Sequence, residues 1–371
     1  MRVLVLSKRQ YMGKDLLDDG YGRFYELPLE LSRRGHRVRG VCASYRPRPE
    51  GEVAARGTDA EVRWRSVTVR PFSPAALWRW AKALEGEVRA FRPERIWACS
   101  DSFHAIVGVW LQRRHGVPCV IDLYDNFEGY GASHIPGVLA LLRRATRRAA
   151  GITCISAPLE RHVRAHYGSR APMQVLENGV SAHFVPQDRA RCRGALGLPL
   201  DAKVIGTAGA IDTARGVEDL FRAFLSLAER RSELYLVLAG RLLGGARVPA
   251  HERIRYLGEL DHAQIPAVIG AMDLCVVCNR RTAFGEYAFP QKLYEAIACG
   301  VPPLVARTEG VAHVLEKSAA HGYEPGSLAS LTQGIEFLLE RPAMPPVAPR
   351  SWRDLGEALS AFLALAAKDV A

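Results

Sequence analysis

The sequence predicts an α/β protein built from two open, doubly wound Rossmann-like domains. Three observations predict it. Short apolar runs alternate with helical patterns along the whole chain, as in parallel βαβ units. The alternation restarts near residue 200, after turn-rich residues 178–190, "NGVSAHFVPQDRA". The length of 371 residues suits two domains.

In the first half, "RVLVLS", "RVRGVCAS", "VRWRSVTV", "RIWACS", "PCVIDLYD", "ITCIS" and "APMQV" read as strands. Between them "GRFYELPLELSRRGH", "SPAALWRWAKALEGEVRAF", "SFHAIVGVWLQRRHG", "GVLALLRRATRRAAG" and "APLERHVRAHYG" carry helical spacing. Ser-Pro opens the second of these, and Gly35 stops the first. In the second half, "AKVIGTAGA", "LYLVLAG", "RIRYLG", "DLCVVC" and "PPLVAR" are strands. "GVEDLFRAFLSLAER", "HAQIPAVIGAM", "PQKLYEAIACG", "GVAHVLEK" and "SLASLTQGIEFLLE" are helices, and "SWRDLGEALSAFLALAAK" is a last helix after a Pro-rich segment. The expected division is 1–182 and 183–350, with 351–371 returning to the first domain. Ligands of such sheets sit at the carboxyl ends of the strands.

Composition narrows the classes. The formal charge of +11 suits an acidic partner, though the arginines behind it are dispersed. Basic residues are not interleaved with aromatics and no nucleic-acid motif appears, so no nucleic-acid partner is expected. The eight cysteines lie in apolar runs, as reduced core cysteines do, and no zinc spacing occurs. No uncharged apolar run is long enough to span a bilayer, and the first residues read as a buried strand rather than a signal peptide. A cytoplasmic protein is expected. Arg143, Arg144, Arg147 and Arg148 share one helix face, which fits either a solvated surface or peripheral contact with an anionic membrane on its inner side.

The chemistry concentrates in residues 281–305, "RTAFGEYAFPQKLYEAIACGVPPLV". Pro290 opens a helix whose free N–H groups favour a phosphate. Lys292 adds a charge in its first turn. Glu295, three residues on, shares its face, where a carboxylate can accept both hydroxyls of a ribose. The same spacing also suits a plain surface ion pair.

"FPQKLYEAIACGVPPLVA" resembles the C-terminal signature of GT-B glycosyltransferases of the retaining family 4 type, whose helix reads P-x-K-L-x-E. "FGEYAF" is similar to its lead-in. "QVLENGVSAHFVP", "IGTAGAIDTARGVEDLFRAF" and "YGRFYELPLELSRRGHRV" resemble further family segments in the family's order. The resemblance implies two Rossmann-like domains facing across a cleft. It implies transfer of a sugar from a nucleotide-sugar, UDP- or GDP-linked, to a sugar, lipid-linked or small-molecule acceptor, with retention and without a bound metal or other cofactor. Gly209, Arg215, Gly285, Glu286, Tyr287, Lys292, Leu293 and Glu295 would hold the donor. Arg215 and Lys292 would stabilise the leaving diphosphate, and Asp125 would orient or deprotonate the acceptor hydroxyl. Gly20, Gly22, His104 and Asp122 would line the acceptor side. Two departures stand out. Tyr287 occupies the place of a donor-touching glutamate, with Glu286 one residue off, and Ala210 replaces an arginine. They leave open a non-catalytic nucleotide binder, and a sugar-nucleotide epimerase shares the architecture.

Overall fold

The computed structural model describes residues 1–11, 14–54, 60–69 and 73–366. Met12 and Gly13 of the expected cleft loop, and the end of the expected last helix at 367–371, lie outside the described residues. The chain divides into two compact units, Met1–Asn178 with Trp352–Ala371, and Gly179–Ser351.

The first unit is built on an eight-stranded sheet. Arg2–Lys8 stands in its middle. Arg37–Ser44 and Val62–Thr68 extend it on one side; Arg95–Ala98, Cys119–Leu123, Gly151–Cys154 and Met173–Val175 extend it on the other. All of these pair in parallel. The edge strand Gly51–Ala54 is antiparallel and went unread, because "GEVA" is too short and polar to show alternation. The central strands are unbroken apolar runs because helices cover both faces. Val3, Leu4, Val5 and Leu6 are all fully buried.

The helix Trp352–Leu365 belongs to this unit and lies on Arg23–Arg33. The two approach closely at Gly356, where a Cβ would stand 2.3 Å from that of Glu30. The expected helix 157–168 is an α-helix only over Ala157–His162 and continues as a π-helical turn, Val163–Tyr167.

The second unit carries a six-stranded parallel sheet. Lys203–Ala208 is central. Leu234–Ala239 and Ile254–Tyr256 lie on one side, and Leu274–Val277, Pro303–Ala306 and the short Gly322–Tyr323 on the other. The helices Val217–Ala228 and Leu328–Glu340 bury Leu220, Phe224, Leu331 and Ile335 against it. In both sheets the chain reverses its direction of winding beside the first strand, which leaves a crevice at the carboxyl ends there.

Candidate functional site

In the second unit that crevice lies between Lys203–Ala208 and Leu274–Val277. Just past the first strand, Gly209 adopts φ 98°, a conformation only glycine holds without strain. Gly240 ends the next strand so close that a Cβ on it would stand 2.0 Å from the Gly209 carbonyl oxygen. The turn Thr213–Arg215 follows, capped by Asp212, whose Oδ1 accepts the Ala214 N–H at 3.0 Å.

The helix Gln291–Ala298 starts behind Pro290 and sends Lys292 to this point. A Cβ on Gly209 would lie 3.4 Å from Lys292 Cε and 3.5 Å from Nζ. Burial, then the Arg215 charge, lowers the Lys292 amine below the ordinary lysine range. Neither Lys292 nor Arg215 forms an ion pair with a carboxylate among the described residues. Arg215 instead lies over the Phe284 ring, 5.2 Å from its centre. The two cations repel, and with Glu295 acting only weakly against that repulsion, electrostatic energy remains that a bound anion releases.

Glu295 is buried one turn on, and its Oε1 accepts a hydrogen bond from Gln291 Nε2 at 2.9 Å. His262 Nε2 stands 3.5 Å from the same oxygen. Gln291 Oε1 is buried with no protein hydrogen-bond partner among the described residues.

The other donor candidates differ in what they face. Leu293 is fully buried in the core. Gly285 turns the loop where a side chain would strike the Arg280 carbonyl. The Glu286 carboxylate accepts the Glu309 N–H at 3.3 Å and its carbonyl accepts that of Gly310, so it ties down its own loop. Tyr287, next to it, is half-buried.

Arg280 escaped the sequence reading. It lies three residues past the strand Leu274–Val277, and position beyond a strand's carboxyl end was the signal available. Its guanidinium pairs with Asp219 at 2.8 Å and fills the space where Gly216 lacks a side chain. It therefore joins the loop of Phe284 to the turn of Arg215.

In the first unit, the acceptor candidates separate. Asp122 is fully buried and held by Arg23, Nε to Oδ2 2.8 Å and Nη2 to Oδ1 2.7 Å, with Thr153 Oγ1 donating to it at 2.5 Å. It lies inside the protein rather than on a surface. His104 is likewise wholly buried, its Nδ1 2.7 Å from Asp101 Oδ1. Gly20 and Gly22 have positive φ, and their side-chain positions are filled by the rings of Tyr25 and Tyr11 rather than left open.

Asp125 ends the turn after Cys119–Leu123, and its Oδ2 accepts the Tyr130 hydroxyl at 3.0 Å. The Tyr124 hydroxyl stands 2.7 Å from that of Tyr130, whose one proton goes to Asp125, so Tyr124 is the donor between them, and it accepts from Lys8 Nζ at 3.3 Å. Lys8 ends the central strand, and its amine is lowered by burial against the opposing pull of Asp101 and Asp125. Beside it, Ser100 holds φ 83°, rare for a residue with a side chain, and its Oγ accepts the Lys8 N–H at 2.8 Å. Burial alone would raise Asp101, but His104, Lys8 and a hydrogen bond from Tyr45 hold it well below the carboxylate range.

Comparison with known proteins agrees with this architecture. The family model of a glycosyl transferase 4-like domain matches residues 22–179. That of glycosyl transferases group 1 matches 188–353. A D-inositol 3-phosphate glycosyltransferase of Mycolicibacterium gilvum is 27% identical over 219 residues, 53% of this chain and 47% of that protein. A second such protein, from Catenulispora acidiphila, is matched over 39% of its length, so the match spans less than half of either relative. A GDP-mannose-dependent monoacylated α-(1-6)-phosphatidylinositol monomannoside mannosyltransferase of Corynebacterium glutamicum is 23% identical over 87% of this chain and 89% of that one. Among solved structures, sucrose-phosphate synthase of Thermosynechococcus elongatus superposes with a TM-score of 0.72 at 16% identity, covering 99% of this chain and 96% of that one. Anabaena HepE in complex with UDP-glucose gives 0.68 at 17%, covering 100% and 98%. The two family models, one on each half, and the shared GT-B fold together show that this chain belongs to the group 1 glycosyltransferases.

Proposed function

We propose that the protein transfers a sugar from a nucleotide-sugar to an acceptor hydroxyl with retention. The observation that carries this reading is the buried Lys292 amine beside Gly209, with the Arg215 charge acting on it and no carboxylate ion-paired to either among the described residues. Two phosphates supply the charge those cations lack. As the glycosidic bond to the donor breaks, negative charge grows on the diphosphate, so fixed cations there favour the transition state over the ground state. Glu295, a turn on from Lys292, and the unpartnered Oε1 of Gln291, next to Lys292 in the chain, accept hydrogen bonds from ribose hydroxyls. A UDP- or GDP-sugar is the donor class. Support comes from HepE, solved with UDP and UDP-glucose, and from the GDP-mannose-dependent relative. The acceptor, a sugar, a lipid-linked or a small-molecule hydroxyl, is assigned to the first unit, with Asp125 as the group that orients or deprotonates it.

The test is a thermal-shift panel of UDP, GDP, ADP, CMP, TDP and their sugar conjugates on wild type, Glu295→Ala and Lys292→Ala. A rise with one nucleoside diphosphate that both variants diminish identifies the base and supports the site. No rise with any of them sinks the donor assignment. Binding without turnover across an acceptor panel would instead fit a nucleotide-binding member that has lost catalysis. Conversion of the donor's sugar without an acceptor would mark an epimerase.

A further inference from the structure

The four arginines on and after the helix Val138–Thr146 do not act as one face. Arg143 pairs with Glu128 at 2.8 Å, and Arg147 donates to the Tyr167 carbonyl at 2.9 Å. Arg144 and Arg148 look the other way, toward the helix Ser102–His115 with its Arg113 and Arg114. Between the two helices runs an open groove of about 640 Å³. Its base is the buried Val109 and Ala145, and its walls include Trp110 and Leu141, 41% and 49% exposed.

Arg114 is occupied, since it pairs with Glu85 and lies over the Trp110 ring. Arg113, Arg144 and Arg148 have no carboxylate partner among the described residues. Arg144 first, then slight burial, Arg113 and Arg147 pull the Arg148 guanidinium below its ordinary range, the mark of mutual repulsion. The neighbouring helix Pro74–Phe91 adds Leu77 and Trp78, 39% and 61% exposed, with Lys82 over the Trp78 ring. Three helices of one unit thus present apolar and indole side chains among cations.

Exposed tryptophans beside unpaired arginines match the headgroup layer of a bilayer, where indole is half-solvated and phosphates supply the counter-charge. A second copy of the chain fits poorly, because a self-complementary contact would set one arginine rim on another. A nucleic acid would use the charges but leave Leu141 and the aliphatic base without a role.

We propose that this face docks on a bilayer surface containing anionic phospholipid, with Arg113, Arg144 and Arg148 on lipid phosphates and Trp110 and Leu141 in the upper acyl layer. The inference stands independently of the donor site.

The test is co-sedimentation with vesicles of phosphatidylcholine, alone or mixed with phosphatidylglycerol, and with double-stranded DNA as a parallel ligand. Wild type is expected to pellet with the mixed vesicles and stay in solution with phosphatidylcholine alone. The triple variant Arg113→Ala/Arg144→Ala/Arg148→Ala should lose roughly a hundredfold in partitioning. Trp110→Ser/Leu141→Ser should lose binding that added salt does not mimic. Unchanged melting temperatures confirm that the variants fold. Wild type remaining in solution with mixed vesicles at low salt overturns the proposal. So does equal binding by wild type and the triple variant, or DNA binding that falls in that variant while vesicle binding does not.

Discussion

Arg23 and Asp122 meet fork to fork with neither side chain exposed, across 99 residues of sequence. Arg23 also donates from Nη1 to the Glu177 carbonyl at 2.8 Å, so one guanidinium ties the first helix, the sheet and the end of the first unit together. Removing one partner leaves the other charge buried. Asp122→Ala is expected to destabilise the first unit by about 3–5 kcal/mol, read by denaturant unfolding. Replacing both with apolar residues of similar volume should cost much less. Equal losses in the single and double variants would show that packing, not charge, holds this point.

Lys292 links binding to pH. Its amine is lowered by burial and Arg215, and a bound diphosphate favours the charged form. Affinity for a nucleoside diphosphate is therefore full below the lowered value and falls as pH rises through it, before the ordinary lysine value of about 10.4. The stability sign is opposite. The unfolded chain keeps this proton more readily, so Lys292 destabilises the free protein at neutral pH, and that penalty fades at alkaline pH. Lys292→Arg stays charged and should flatten the alkaline fall in affinity, measured by calorimetry. A fall of the same shape in that variant would place the titrating group elsewhere.

If the proposed donor site holds the diphosphate, Lys292→Ala removes a cation from the leaving group. About 10²–10³ in kcat is the expected loss, by analogy with deleting one fixed donor from a charge-stabilising site. Rapid-quench turnover with saturating donor measures it, and undiminished kcat would remove Lys292 from the chemistry.

Gly240 acts on the site from behind. A methyl group there would meet the Gly209 carbonyl, and the residue's φ of 133° already disfavours a side chain. Gly240→Ala should destabilise the second unit by about 1–3 kcal/mol and weaken nucleotide binding by displacing Gly209. A destabilised variant with unaltered nucleotide affinity would show that the Gly209 backbone does not shape the pocket.

Asp125 stands in the other unit from Lys292 and Arg215, so the acceptor role proposed for it can be tested apart from nucleotide binding. Asp125→Asn should lower kcat by about 10²–10⁴ with nucleotide affinity unchanged. Loss of nucleotide affinity instead would deny it an acceptor role.

The sheets were legible because buried parallel strands print as unbroken apolar runs, such as "VLVL" and "LYLVLA". Lys292 and Glu295 were legible because one short helix carries both, and helical spacing is local. The pairing of Arg23 with Asp122 was not, since nothing local marks a partner so far along the chain. Asp122 looked available because it lies near the end of a strand and His104 because it starts the helix after one, positions that do not distinguish a side chain turned into the core from one turned to solvent. The helix Arg189–Ala195 was hidden in the turn-rich junction, and its sequence "RARCRGA" has too few apolar positions to show a period. The basic groove also went unread as a groove, because its arginines come from two helices whose facing is set by tertiary packing.

Arg280 occupies the volume that Gly216 leaves empty, with Asp219 holding its far end. Positions 216 and 280 therefore form a lock and key within one molecule. A larger residue at 216 would be tolerated only where 280 has shortened, so in diverging descendants these two positions should change together. Recombination that exchanged one loop without the other would then yield a chain whose two loops no longer fit.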